Sequence, residues 1–270
     1  MDDLNSWISD WPVGWAAVGV TDAQESRGVG GDPDRVAPIA SVSKLLVGMT
    51  ALVAWEEETI DLDEPAGPPG STVRHLLSHS SGLATDEDRV VAPPGTRRIY
   101  SNVGIDRFCE HLAARAEMPF ETYLREGVLE PLGMADTTLV GPPSHGIRST
   151  ISDLLRFARE LLHPTLVSPE TLAEATTPQF PELKGVVPGI GLFDPNPWGL
   201  TFEIRDHKKP HWTGDGNSPE TFGHFGRSGS FLWVDPKPGL AAVGLADREF
   251  DLWALRAWPE FSDRVLARYT

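Results

Sequence analysis

The sequence predicts an α/β fold of the α+β kind: one antiparallel sheet built from both termini, flanked by helices, with an inserted all-helical lobe. Three observations carry this. Short β-rich apolar runs stand near the N-terminus and again only after about residue 195, amphipathic helical patterns fill the interval, and no internal repeat or long polar tract interrupts them. The expected division is a sheet lobe from residues 1–45 and 195–270 and a mainly helical lobe from residues 46–194, with a site between them. At 270 residues, 40% of them hydrophobic, the chain can bury a substantial core.

Taken in order, residues 15–20 (WAAVGV) read as a strand, and residues 28–31 and 32–34 as turns. Val42, Leu45, Leu46, Met49, Leu52 and Val53 follow the spacing of a buried helix that starts at Ser41 and ends near residues 56–58. Residues 65–70 are a loop by composition. Ser71 is an expected N-cap for a helix over 73–78, with Gly82 as its stop. Helical patterns recur over 105–116, 120–129 and 151–162. Strands are expected over 198–204, 230–234 and 240–246, the last two joined by a turn at 235–239, and a helix over 260–268 closes the chain.

Composition excludes several functions. A net charge of −16 disfavours nucleic acid and anionic membranes, both of which select basic surfaces. The single cysteine, Cys109, rules out an internal disulfide and a cysteine-based zinc site, and its apolar helical setting marks a buried structural thiol. The N-terminal residues lack a basic n-region and an apolar h-region, and no run approaches the ~20 apolar residues of a membrane span. A cytoplasmic protein acting on a small molecule, without metal or organic cofactor, is the expectation.

Three segments carry candidate chemistry. In Ser41-Val42-Ser43-Lys44, helical pitch places a hydroxyl and an amine one turn apart, so the amine can take the hydroxyl proton. In the second, residues 93–102, a turn-rich entry delivers Tyr100 and Asn102 just before a helix. A phenol near an ammonium can shuttle a proton, and Asn102 can hold Lys44 or a substrate carbonyl; an aromatic anchor with a helix-capping Asn is the plainer alternative. The third, residues 223–230, runs into the apolar strand 231–234. Its glycines admit close approach of a ligand, and an edge N–H there can serve an oxyanion hole; a Gly-rich hairpin without a ligand fits equally.

Together, Ser41-Val42-Ser43-Lys44, Tyr100-Ser101-Asn102 and His224-Phe225-Gly226 resemble, in order, the three motifs of the serine β-lactamase and penicillin-binding-protein superfamily. The branch they look most like is that of class C β-lactamases and family VIII carboxylesterases. Residues 72–83, 131–137 and 149–158 are similar as well, so the resemblance covers roughly residues 14 to 247. It implies a β-lactamase/transpeptidase-like fold and a covalent acyl-serine mechanism. Ser41 would be the nucleophile, and Lys44 and Tyr100 would share the base role. Asn102, His224, Phe225, Gly226 and Arg227 would contact substrate, with the backbone N–H groups of Ser41 and Arg227 as the oxyanion hole. The sequence departs from the family at the third motif, where His224 replaces the usual Lys and Phe225 the Thr that bind a substrate carboxylate. A largely neutral His anchors a carboxylate poorly, which tilts the expectation toward esters or amides, with a β-lactamase or D,D-peptidase as the alternative.

Other readings are weaker. Residues 226–230 nearly spell a G-x-S-x-G elbow, but Ser230 replaces the last Gly and a strand follows. His207 and His211 lie in a Pro-containing polar loop, where a polar surface is expected rather than a metal site. His75 and His79 are expected to pack or cap, and Trp7, Trp11 and Trp15 to form a lid or anchor the N-terminal strand. A catalytically inactive binding protein on the same fold is the remaining rival.

Overall fold

The computed structural model describes residues 4–270. Its centre is a six-stranded antiparallel sheet in the spatial order Ser26–Gly30, Ala16–Thr21, Leu240–Ala246, Ser230–Asp235, Phe222–Gly226, Glu203–Ile204. The N-terminal strand therefore sits beside the last one, with Ala16 opposite Ala246 and Thr21 opposite Ala241.

Both faces of the sheet are covered, and the side chains divide with the period of two that a pleated strand imposes. Val18, Val20, Phe231, Trp233, Leu240 and Ala242 face an aromatic layer with Trp258, Phe261 and Val265 of the C-terminal helix Ala254–Tyr269. Ala17, Leu232, Val234, Ala241, Val243 and Leu245 join the larger core built with the inserted helices. Helix Ile151–Leu162 lies directly on this second face: a Cβ at Gly19 would meet Leu155 at 2.8 Å.

The helix Ser43–Glu56 runs through the middle of that core, and every residue from Ser43 to Ala54 is buried. Gly48 lets the chain at Leu200–Thr201 cross it closely, since a Cβ there would lie 2.1 Å from Thr201 Oγ1. Helices Asn102–Ala116, Phe120–Leu124 and Pro169–Ala175 pack against it, and Val73–Leu77 packs on Asn102–Ala116.

Several boundaries differ from expectation for local reasons. Ser41 belongs to a 3-10 turn, Ala40–Val42, and the α-helix begins at Ser43. Residues 28–30 are strand rather than turn, and their glycines make room for the N-terminal helix Leu4–Ile8: a Cβ on Gly30 would meet the Leu4 carbonyl carbon at 2.8 Å. The N-cap of Val73–Leu77 is Thr72, whose amide and hydroxyl both reach His75 Nδ1, and the helix stops well before Gly82. Only Glu203–Ile204 of the run 198–204 is strand, because Thr201 turns the chain at φ +70. Residues 125–129 form a π-turn after Phe120–Leu124, and the last helix starts at Ala254 with Pro259 inside it. Trp7 and Trp11 do anchor the N-terminus, packing on Phe261, and Trp11 also on Trp253. Cys109 is buried and unpaired. Among the described residues no helix is long and apolar enough to cross a membrane.

Candidate active site

The structure brings Ser41, Lys44, Tyr100, Asn102 and His224 together where the buried helix meets the sheet edge. The turn carrying Ser41 is fixed from outside. Ser228 Oγ donates to the Pro38 carbonyl at 2.8 Å, Ser230 Oγ to the Ile39 carbonyl at 2.7 Å, and the Ile39 amide to the Ile147 carbonyl at 3.0 Å. Ala40, one residue before the hydroxyl, is held at φ +44, a conformation a non-glycine residue rarely takes. Gly226 allows the sheet edge to close on this turn, since a Cβ there would lie 2.4 Å from the Ile39 carbonyl oxygen.

Lys44 is fully buried yet well partnered. Its Nζ donates to Asn102 Oδ1 at 2.6 Å and to the Ser144 carbonyl at 2.8 Å, and its third position faces Ser41 Oγ at 3.4 Å. Both close partners can only accept, so two N–H bonds are committed. When the nitrogen is neutral, the third position is its lone pair, aimed at the serine hydroxyl. Burial lowers the Lys44 pKa to about 7, against the opposing pull of Asp106 and Asp86. Those carboxylates act through the lysine's partners: Asp86 accepts from Asn102 Nδ2 at 2.7 Å, and Asp106 accepts from the Ser144 amide at 2.9 Å and its hydroxyl at 3.0 Å.

The Tyr100 ring lies under the ammonium, with Nζ 4.7 Å from its centroid. Burial pushes the phenol pKa up, and Ser41 only partly offsets this, so the group stays protonated at neutral pH. Asn102 does not cap its helix. Ser101 does, its hydroxyl accepting from the Gly104 amide at 2.9 Å, which leaves Asn102 free to hold the lysine.

His224 is 2% exposed, and burial together with the Lys44 charge pushes its pKa down to about 3. Its Nδ1 donates to the Phe225 carbonyl at 2.6 Å, and a carbonyl cannot donate in return. The ring is therefore neutral with its proton on Nδ1, and Nε2 is a bare acceptor. His79 is the complement: its Nδ1 accepts from the Ser101 amide at 3.2 Å, so Nε2 carries the hydrogen. With Tyr100 and Trp198 these histidines form an aromatic cluster, His79–Tyr100 at 4.6 Å, Tyr100–His224 and Trp198–His224 each at 5.8 Å. One polar atom of each, His79 Nε2, Tyr100 Oη, Trp198 Nε1 and His224 Nε2, is buried without a hydrogen-bond partner among the described residues.

Two residues expected at the site have their side chains elsewhere. Phe225 faces the opposite side of its strand from His224 and packs on Trp212, Phe250 and Trp258, so its ring is core and not a substrate contact. Arg227 points to solvent with 82% of its side chain exposed, 3.2 Å from Glu249; only its backbone belongs to the edge that closes on Ser41.

A buried charge cluster stands behind Trp198. Glu203, Lys208 and His211 are each nearly inaccessible: Lys208 Nζ bonds Glu203, and Glu203 Oε2 accepts from His211 Nε2 at 2.9 Å and Trp212 Nε1 at 3.0 Å. Lys208 also donates to the Pro197 carbonyl at 3.1 Å, fixing the backbone that presents Trp198. His211 is thus buried in the core and not on the polar surface expected of its loop, whereas His207 is exposed. The described residues contain no cluster of His, Cys, Asp or Glu able to hold a metal.

Sequence reasoning missed Ser144, Asp86, Asp106 and Trp198. Ser144 contributes a backbone carbonyl, which no residue type signals. His79, expected to pack or cap, packs against the phenol itself.

A family model described as Beta-lactamase matches residues 8–262. A crystal structure of a beta-lactamase from Mycobacterium bovis superposes with a TM-score of 0.97 at 53% identity, covering 98% of each chain. The simvastatin synthase LovD of Aspergillus terreus, as the LovD9 mutant, shares the fold at TM-score 0.81 and 18% identity, covering 98% of this chain and 97% of that one. The D-alanyl-D-alanine-carboxypeptidase/endopeptidase AmpH of Escherichia coli is 24% identical over 157 residues, 44% of this chain and 41% of AmpH. The match thus spans less than half the length of that relative.

Proposed function

We propose that this chain, which belongs to the beta-lactamase family, is a serine hydrolase of small esters or amides that works through an acyl-serine intermediate. The observation that carries the reading is the Lys44 amine, held by Asn102 and Ser144 so that its third position faces Ser41 Oγ at 3.4 Å. Neutral Lys44 takes the Ser41 proton as Oγ adds to the substrate carbonyl. The oxyanion is stabilised by the backbone N–H groups of Ser41 and Arg227, each such donor contributing ~10²–10³ in rate. The intermediate collapses with expulsion of the leaving group, which takes a proton from the Tyr100 phenol or protonated Lys44. Water then hydrolyses the ester at Ser41 and restores both groups. A fluorophosphonate adduct on Ser41, read by intact mass, tests the covalent step; a protein that never labels is not this enzyme.

The roles of Lys44 and Tyr100 have a pH signature. With the amine near 7 and the phenol above its ordinary value, the base is lost on acidification. We expect kcat/KM for p-nitrophenyl acetate to fall tenfold per pH unit below about 7 and to level above it. A profile flat from pH 5 to 8 would contradict lysine as the base.

Ester or amide preference is supported by the third motif. His224 offers a neutral acceptor, and Arg227 turns away, so neither supplies a cation for a substrate carboxylate. The Mycobacterium bovis relative, described as a beta-lactamase, supports a second reading as a β-lactamase. Nitrocefin against p-nitrophenyl acetate and butyrate separates the two. His224→Lys should raise nitrocefin turnover relative to ester turnover by about tenfold; an unchanged ratio would show that this position does not set selectivity.

A further inference from the structure

Beside Tyr100 opens a cavity of about 670 Å³ that the mechanism above leaves unused, within the usual range for small-molecule sites. One wall is the hairpin Gly185–Val187/Gly191–Phe193, in which Val186 pairs with Leu192, so both side chains share one face. They are 50% and 70% exposed, and both line the cavity with Ile99 and Pro188. An apolar pair displayed on a short hairpin above a cavity is a contact surface without a protein partner.

The rim is cationic in a chain whose net charge is −16. Arg98 pairs in parallel with Gly185, which sets Arg97 beside Lys184, and both line the cavity. Arg98 itself is committed: its guanidinium donates to the carbonyls of Ser78, Gln179, Phe180 and Asn196, pinning three segments of the wall. Among the described residues Arg97 and Lys184 make no ion pair, Asp194 included, which is the one carboxylate of the lining. Two adjacent unpaired cations are stabilised by an anion placed between them.

We propose that this cavity binds the non-reacting part of the substrate, an apolar segment ending in an anionic group. The segment lies along Ile99, Val186 and Leu192, and the anion meets Arg97 and Lys184. This deepens the hydrolase reading and rests on it, because Tyr100 forms both a wall of the cavity and part of the reacting centre. It places negative charge at the far end of the substrate rather than at the third motif.

The test fixes chain length and changes only the terminal group. In an acyl series, p-nitrophenyl octanoate is compared with p-nitrophenyl hydrogen suberate; in an alcohol series, octyl acetate with the acetate ester of ω-hydroxyoctanoate. The anionic member of one series should have the higher kcat/KM by about fivefold or more at low salt, and the series that shows this names the half of the substrate in the cavity. The advantage should shrink as salt rises and fall to about one in the Arg97→Gln/Lys184→Gln variant. Ratios within twofold in both series, or a ratio the variant leaves unchanged, overturn the proposal. Calorimetric titration of monomethyl suberate into Ser41→Ala reads the cavity without turnover: binding that the added double substitution abolishes supports it, and no binding overturns it. A protein that binds suberate but never labels at Ser41 removes the hydrolase reading alone.

Discussion

Ser41→Ala should lower kcat/KM for p-nitrophenyl acetate by at least about 10⁴-fold and abolish the fluorophosphonate adduct. The size follows from the site's construction. Everything else there serves one oxygen: the amine aimed at it, the turn held by Ser228 and Ser230, and the sheet edge brought close at Gly226. Without Oγ no covalent path exists, and what remains is polarisation of a bound carbonyl. Stability should change by less than about 1 kcal/mol, because Lys44 keeps Asn102 and Ser144 and the helix begins two residues later. Turnover at wild-type rates in a folded variant would remove the mechanism.

The largest effect on stability should come from Lys208→Met. Lys208 is the cation of a buried cluster, and removing it leaves Glu203 with only His211 and Trp212 as donors. Breaking one partner of a buried pair costs about 3–5 kcal/mol, here with loss of the bond to the Pro197 carbonyl. We expect the Tm to fall by roughly 10 °C. Glu203 gives the sign of the pH dependence. Its pKa is lowered from 4.5 to about 2, Lys208 being the leading cause after the opposing cost of burial. Its contribution is complete above 4.5 and is lost as pH falls from 4.5 toward 2. Acid unfolding of the wild type should therefore steepen in that window and the variant should lack the step. A variant as stable as wild type, with the same acid profile, would show that the cluster is only tolerated.

Much of this was legible in the chain. Residues 151–162 and 240–246 form their elements at the expected boundaries, because a strong apolar period and flanking turn residues agree there. The three motifs meet as expected, since residue type and spacing identify them. What escaped depends on tertiary approach. Residues 28–30 look like a turn because their glycines answer to Leu4 and Tyr269, far away in the chain. Phe225 sits within a recognised motif, yet alternation along its strand turns its ring into the aromatic layer. The lysine's second acceptor is a main-chain oxygen at Ser144, which a sequence cannot announce. The charge cluster behind Trp198 is hidden because His211 and Lys208 sit in a stretch that reads as a polar loop.

The helix Ser43–Glu56 has no wetted side through most of its length, and the amine that faces the Ser41 hydroxyl rides on its first turn. Fraying at that end would open the molecule's midpoint rather than its rim. Catalytic competence is thereby tied to cooperative unfolding as a whole: in rising denaturant, activity and the native fold should disappear along one curve, with no partly melted species still turning over.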